Sequence, residues 1–215
     1  MFSDRRDAGR RLARLLRDYA DEKPVVLALP RGGVPVAAPV AIAFGAPLDV
    51  VVVRKLGVPG QPELAMGAVV EAGRPVTIRN EAIIRVAHVS EVEFDEVRAA
   101  ELAEAQRRRE LYVGRGRRLS LKGRAVIVID DGIATGASMR AAVKAVRKQQ
   151  PARLVVAVPV AARTSLEALR GEVDDIVCVD VRDDLRAIGV YYDDFEQVSD
   201  DEVIAALRSV NATHP

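Results

Sequence analysis

Five short runs carry apolar residues at almost every position instead of every second one: "VVLALP" (25–30), "LDVVVVR" (48–54), "AVIVI" (125–129), "RLVVAVPV" (153–160) and "DDIVCVDV" (174–181). A strand with one wet face alternates apolar with polar. Runs that do not alternate belong to strands buried on both faces, which is the condition of a parallel sheet covered by helices. Between them lie stretches with helical spacing, such as Ala8, Leu12, Leu15, Leu16 and Tyr19 on one face of a first helix, with Ser3 as its expected N-cap. Strands alternating with helices require right-handed crossovers. The expected fold is therefore α/β: a doubly wound, Rossmann-like parallel sheet.

The remaining elements follow from local signals. Pro35 suits the first turn of a second, Ala-rich helix, where its missing N–H costs little. "AMGAVVE" (65–71) and "RPVTIR" (74–79) predict a hairpin around Ala72-Gly73. Ser90 with Glu93, Thr164 with Glu167, and Ser199 with Glu202 have capping-box spacing. A helix from about Ala137 to Gln149 follows the strand at 125–129. We expect one domain over 1–215, with 81–118 as a charged helical excursion, a hood or insertion, and 181–215 as a C-terminal tail.

At 215 residues and 49% hydrophobic composition the chain can bury a sizeable core. Its 32 basic and 31 acidic residues nearly cancel, which argues against nucleic-acid or membrane binding driven by bulk charge. No apolar run approaches the roughly 20 residues that span a bilayer. The opening stretch is charged and without a secretory apolar core, so the expected location is cytoplasmic. A single cysteine, Cys178, excludes an internal disulfide and a Cys-based zinc site. His88 and His214 lie in charged or terminal sequence and are read as solvated.

"VIVIDDGIATGASM" (126–139) carries the chemistry. Ligands of open parallel sheets bind beyond the carboxyl ends of the strands. There, Asp130 and Asp131 precede "GIATGAS", small residues able to turn tightly and point N–H groups inward. The following helix adds its positive dipole end, so the suited guest is a phosphate. Neither a Walker loop nor a GxGxxG fingerprint occurs here. Carboxylates beside a phosphate cradle suit the vicinal hydroxyls of a sugar and a nearby Mg²⁺, because they accept from hydroxyls and favour hard cations.

This stretch resembles the phosphoribosyl-pyrophosphate (PRPP) signature of type I phosphoribosyltransferases. The resemblance implies that Asp130 and Asp131 hold the ribose 2′- and 3′-hydroxyls, with Mg²⁺ near them, held largely through PRPP oxygens. Gly132, Ala134, Thr135, Gly136, Ala137 and Ser138 would form the 5′-phosphate loop. "LPRGG" (29–33) is similar to the family's pyrophosphate loop, which assigns Arg31, Gly32 and Gly33 to the diphosphate. "VRKLGVPGQPE" (53–63) looks like the start of the flexible catalytic loop of the adenine-specific branch, with Arg54 or Lys55 reaching the leaving group. Together these matches span residues 25–180 in order and spacing.

The implied reaction joins PRPP to a nitrogenous base or related acceptor and releases pyrophosphate. Ala134 stands where 6-oxopurine enzymes carry an aspartate, which counts against hypoxanthine and guanine by that route. Tyr191, Tyr192 and Asp193 in "GVYYDDF" (189–195) are the base-binding candidates, open equally to the reading that they close the sheet edge. The helix near 91–113, with Arg107-Arg108-Arg109 and Arg115 to Arg118 as a basic patch, is open to roles as a hood, a solvated face, a homodimer contact or a phosphate or RNA contact. Two alternatives stand beside the enzyme: a PRPP-sensing regulator, and a hydrolase or phosphorylase of another phosphorylated sugar.

Overall fold

The computed structural model describes residues 1–114 and 119–212. The helices are α1 (Arg5–Leu15), α2 (Gly33–Phe44), α3 (Glu81–Val86), α4 (Glu91–Val113), α5 (Ala137–Arg147), α6 (Arg163–Leu169) and α7 (Asp200–Asn211). The strands are β1 (Val25–Ala28), β2 (Leu48–Val50), β3 (Val52–Val58), β4 (Gln61–Glu71), β5 (Pro75–Arg79), β6 (Ala125–Ile129), β7 (Arg153–Ala162) and β8 (Asp175–Arg182). The main sheet is parallel throughout, in the order β2-β1-β6-β7-β8.

Both faces of that sheet are buried over β2, β1, β6 and β7, as the unbroken apolar runs require, whereas the edge strand β8 is only half-buried. Val26, Ala28, Ile127, Ile129, Val155 and Ala157 face a core completed by Leu12 and Leu16, by α2, and by Val203, Leu207 and Val210 of α7. Their neighbours Val25, Leu27, Val126, Val128, Leu154 and Val156 face a second core with Met139, Val143 and Val146 of α5 and Leu166 and Leu169 of α6. Val70 and Ala72 enter the same core from the second sheet. Burying one such side chain contributes about 1.5–3 kcal/mol, so these two layers are the main source of stability.

The run at 48–54 does not form one strand. β2 ends at Val50 and β3 begins at Val52, so the chain leaves the parallel sheet at the buried Val51 and enters a separate antiparallel sheet, β3-β4-β5. The segment 53–63, expected as a flexible loop, is a β3–β4 hairpin turning at Pro59-Gly60, with Gly60 at φ +77°. The hairpin expected around Ala72-Gly73 does form, pairing Glu71 with Pro75 and Gly67 with Arg79.

Two caps differ from expectation. Asp4, not Ser3, caps α1, accepting from the Asp7 N–H at 2.6 Å. α6 begins after Ala162 without a side-chain cap, because the helix starts one residue before Thr164. The boxes at Ser90–Glu93 and Ser199–Glu202 are both closed.

The charged stretch 81–118 holds α3 and α4, and α4 packs on β2, β3, β4 and α7. It buries Phe94, Ala105, Arg109 and Tyr112. The expected basic patch is not formed by the described residues: Arg107 and Arg108 both bond Glu104, and Arg109 turns inward onto Asp49. Arg115 to Arg118 and His214 lie outside the described residues. Among those described, no helix is long and apolar enough to cross a membrane.

Candidate active site at the switch point of the sheet

β1 connects outward to β2 on one side, while β6 leads to β7 and β8 on the other. The chain direction therefore diverges between β1 and β6, and a crevice opens beyond their carboxyl ends. The two motifs singled out in the sequence meet there. Leu29 N–H donates to the Ile129 carbonyl at 2.9 Å, which zips the strand ends together up to the two loops.

The β1 loop, Pro30 to Gly32, winds directly into α2: Gly33 N–H donates to the Leu29 carbonyl at 3.0 Å and Val34 N–H to the Arg31 carbonyl at 3.2 Å. The Pro30–Arg31 peptide is cis. Gly32 has ordinary helical torsions, so conformation does not demand glycine there. Proximity does. A Cβ on Gly32 would lie 2.1 Å from Asp131 Oδ2, and one on Gly33 would lie 2.8 Å from the Ile129 carbonyl oxygen. Arg31 projects toward the start of α7, 3.8 Å from Asp200 Oδ1.

The acidic pair is shielded from water and crowded. Asp131 N–H donates back to Asp130 Oδ1 at 2.9 Å. Burial first, and then the neighbouring charge of Asp131, pushes the Asp130 carboxyl well above the usual carboxylate range. Burial also raises Asp131, opposed by Arg5 of α1, whose Nε donates to Asp131 Oδ2 at 2.9 Å. Arg5 carries no local motif, and only the packed fold brings it 126 residues along the chain to Asp131.

The next loop is pinned at its start and open at its end. Ile133 N–H donates to the Val160 carbonyl and Ala162 N–H to the Ile133 carbonyl, each at 2.9 Å, and Ser165 Oγ donates to the Ala134 carbonyl. Gly132 is packed so tightly that a Cβ would meet Ile188 at 2.7 Å. Gly136 adopts φ +76°, a left-handed turn that glycine enters without strain, and it caps α5. Thr135, Ala137 and Ser138 are exposed around it. The first-turn N–H groups of α5 have no helical acceptor, so this loop offers donors to an anion.

The second sheet stands over the same helix. Lys55 of β3 lines a groove of about 530 Å³ shared with Ala137, Ser138 and Lys144, and its ammonium lies 3.0 Å from Glu63. Arg54, the next residue on the strand, points to the other face and bonds Glu101 of α4 at 2.7 Å. The two cations are thus on opposite sides of β3, and of the two only Lys55 shares a cavity with Ala137 and Ser138.

The aromatic tail residues separate in the same way. Tyr192 is buried against Phe2 and donates its hydroxyl to the Asp131 carbonyl at 2.6 Å. Tyr191 is half-buried beneath the Arg182 guanidinium, and Asp193 is exposed, its N–H bound to the Phe2 carbonyl. Phe195 is the more open ring, with the Arg5 guanidinium 3.8 Å above it.

The sequence profile described as "Phosphoribosyl transferase domain" matches residues 4–195. Proteins from two strains of Mycobacterium tuberculosis, each named "Putative phosphoribosyl transferase", are 46% identical over 208 residues, covering 96% of this chain and 46% of their own length. The chain therefore spans about half the length of the curated relatives it matches. The crystal structure of TT1426 from Thermus thermophilus superposes with a TM-score of 0.83 at 42% identity, covering 97% of this chain and 98% of that one.

Proposed function

The chain belongs to the phosphoribosyl transferase domain family, and on that premise we propose that it is a Mg²⁺-dependent phosphoribosyltransferase, moving the 5-phosphoribosyl group of PRPP to a nitrogenous base or related acceptor with release of pyrophosphate. The observation that carries the reading is the meeting of the Asp130-Asp131 pair, the Arg31 to Gly33 loop and the Thr135 to Ser138 loop at one switch-point crevice.

In this reading Asp130 and Asp131 accept from the ribose hydroxyls. The α5 N-terminus, with Thr135, Gly136, Ala137 and Ser138, holds the 5′-phosphate. Gly32 and Gly33 let the diphosphate approach the backbone, where Arg31 makes a charge-assisted contact. Lys55 supplies a mobile positive charge beside the phosphate loop once it leaves Glu63. Held this way, C1 of the sugar is positioned for in-line attack, and positioning is a large part of such catalysis.

The donor set suits a shared metal ion more than a resident one. Among the described residues no group of three or more His, Cys, Asp or Glu side chains could hold a metal, while the adjacent Asp130 and Asp131 offer hard oxygen donors. Mg²⁺ would arrive with PRPP, bound mainly by its oxygens and touching the acid pair indirectly. When bound it neutralises charge building on the leaving pyrophosphate.

One observation favours a non-catalytic PRPP sensor as the second reading: Arg54, on a paired β3–β4 hairpin whose register shifts only around Gly57, is tied to Glu101. Incubation with PRPP, Mg²⁺ and pooled nucleobases separates the two. Release of pyrophosphate with a new ribonucleotide, seen by mass spectrometry, supports the enzyme. PRPP binding without turnover supports the sensor. Asp131→Asn should weaken PRPP at least about tenfold by calorimetry, since it removes a charged acceptor, and unchanged affinity removes the ribose assignment.

A further inference from the structure

Asp131 is immobilised from several directions. Tyr192 holds its backbone carbonyl and Arg5 Nε bonds Oδ2, while Gly32 sits so close that a Cβ there would collide with the carboxylate. Arg5 is itself fixed. Its Nη1 donates to the Glu196 carbonyl at 2.8 Å, and Phe195 supports the guanidinium face. The Arg5 and Asp131 side chains are only 11% and 14% exposed, so the contact is sheltered from solvent screening.

The hydrogen bonds divide the four carboxylate oxygens of the pair. Asp130 Oδ1 accepts from the Asp131 N–H and Asp131 Oδ2 accepts from Arg5. Asp130 Oδ2 and Asp131 Oδ1 accept nothing from other side chains among the described residues. One oxygen on each neighbouring carboxylate is therefore left for a ligand, which matches two vicinal hydroxyls donating one bond each.

We infer that Arg5 is a positioning residue for sugar recognition: reaching from α1, it fixes the side chain of Asp131 so that the pair presents one acceptor to each hydroxyl of a cis-diol sugar phosphate. This rests on the reading of Asp130 and Asp131 as the ribose contact. Arg5 does not touch the sugar. It acts through Asp131, and the fork geometry matters because Nε and Nη1 serve two different acceptors. A lysine offers its donors from a single nitrogen and cannot reproduce the spaced fork.

The test compares wild type, Arg5→Met and Arg5→Lys by NMR titration with ribose 5-phosphate, 2-deoxyribose 5-phosphate and inorganic phosphate, with melting curves to confirm folding. Wild type should prefer ribose 5-phosphate to its 2-deoxy counterpart. Arg5→Met should lose about tenfold for ribose 5-phosphate, the scale of one charge-assisted bond. With Asp131 taking the 2′-hydroxyl and Asp130 the 3′-hydroxyl, its affinity for the deoxy sugar and for phosphate should hold. Arg5→Lys should recover part of the loss. A preference unchanged in Arg5→Met overturns the inference, and so does an equal loss for all three probes, which marks a general structural role. No preference in wild type removes the ribose reading itself. If Arg5→Met does not fold, Arg5→Lys decides alone, and an undiminished preference there counts against the fork.

Discussion

Asp49, Glu71 and Arg109 meet where α4 lies against β2 and β4; Asp130, Asp131 and Arg5 meet beyond the ends of β1 and β6. Each set is two carboxylates and one arginine, drawn from distant parts of the chain. In the first, all three residues are under 7% exposed and the chain supplies most of the donors. Arg109 bonds Asp49 at 2.8 Å, Val50 N–H bonds the other Asp49 oxygen, and Gly73 N–H bonds Glu71 Oε1. Only Glu71 Oε2 is a buried carboxylate oxygen there without a hydrogen bond. The second set keeps an oxygen on each acid and opens on a crevice. The same ingredients make a brace between two sheets in one place and, in the function proposed above, a ligand contact in the other. What differs is whether the oxygens are used up by the chain itself.

The comparison breaks first at Arg109. Arg109→Met removes a buried cation that contacts both Asp49 and Glu71 and should cost about 3–5 kcal/mol in urea denaturation. A loss below about 1 kcal/mol would show that the brace is not electrostatic. Tyr192→Phe tests the open cluster more gently. It removes one donor from the Asp131 carbonyl and should cost about 1 kcal/mol, with a few-fold weaker grip on PRPP; if neither stability nor affinity moves, the tail does not hold the acid pair. Asp130→Asn has the smallest expected effect and the opposite sign. The folded state raises the Asp130 carboxyl above its unfolded value, so ionisation at higher pH destabilises the fold. The variant should gain about 0.5–1 kcal/mol at pH 8 while losing PRPP affinity. Near pH 3, where the wild-type group is protonated in both states, the gain should vanish. A gain independent of pH would mean that charge is not its source.

Much of this was readable before folding. Non-alternating runs such as "AVIVI" pointed to the parallel sheet, and two of three capping boxes formed where expected because they need only residues three apart. The acid pair and the small-residue loop after it were legible because strand, acids and small residues are contiguous. The run "LDVVVVR" was not, since nothing local marks Val51 as the point where the chain changes sheets; burial is continuous across it. Arg54 and Lys55 looked equivalent in sequence, and only the alternation of a strand separates them. Tyr192 was singled out for its ring, yet its hydroxyl is what engages the site. Arg5 was not singled out at all, because its meaning comes from a contact 126 residues away.

The near-collision of position 32 with Asp131 has a consequence for how this chain can change. Any side chain at 32 would begin 2.1 Å from the Asp131 carboxylate and displace it. The glycine of the first loop is thus selected by the acid of the second. A library randomising position 32 alone should return glycine among binders. Randomising 32 and 131 together should release other residues at 32 only in clones that have given up Asp131. Substitutions at the two loops are then tied to each other by the packing at this point, although they lie far apart along the chain.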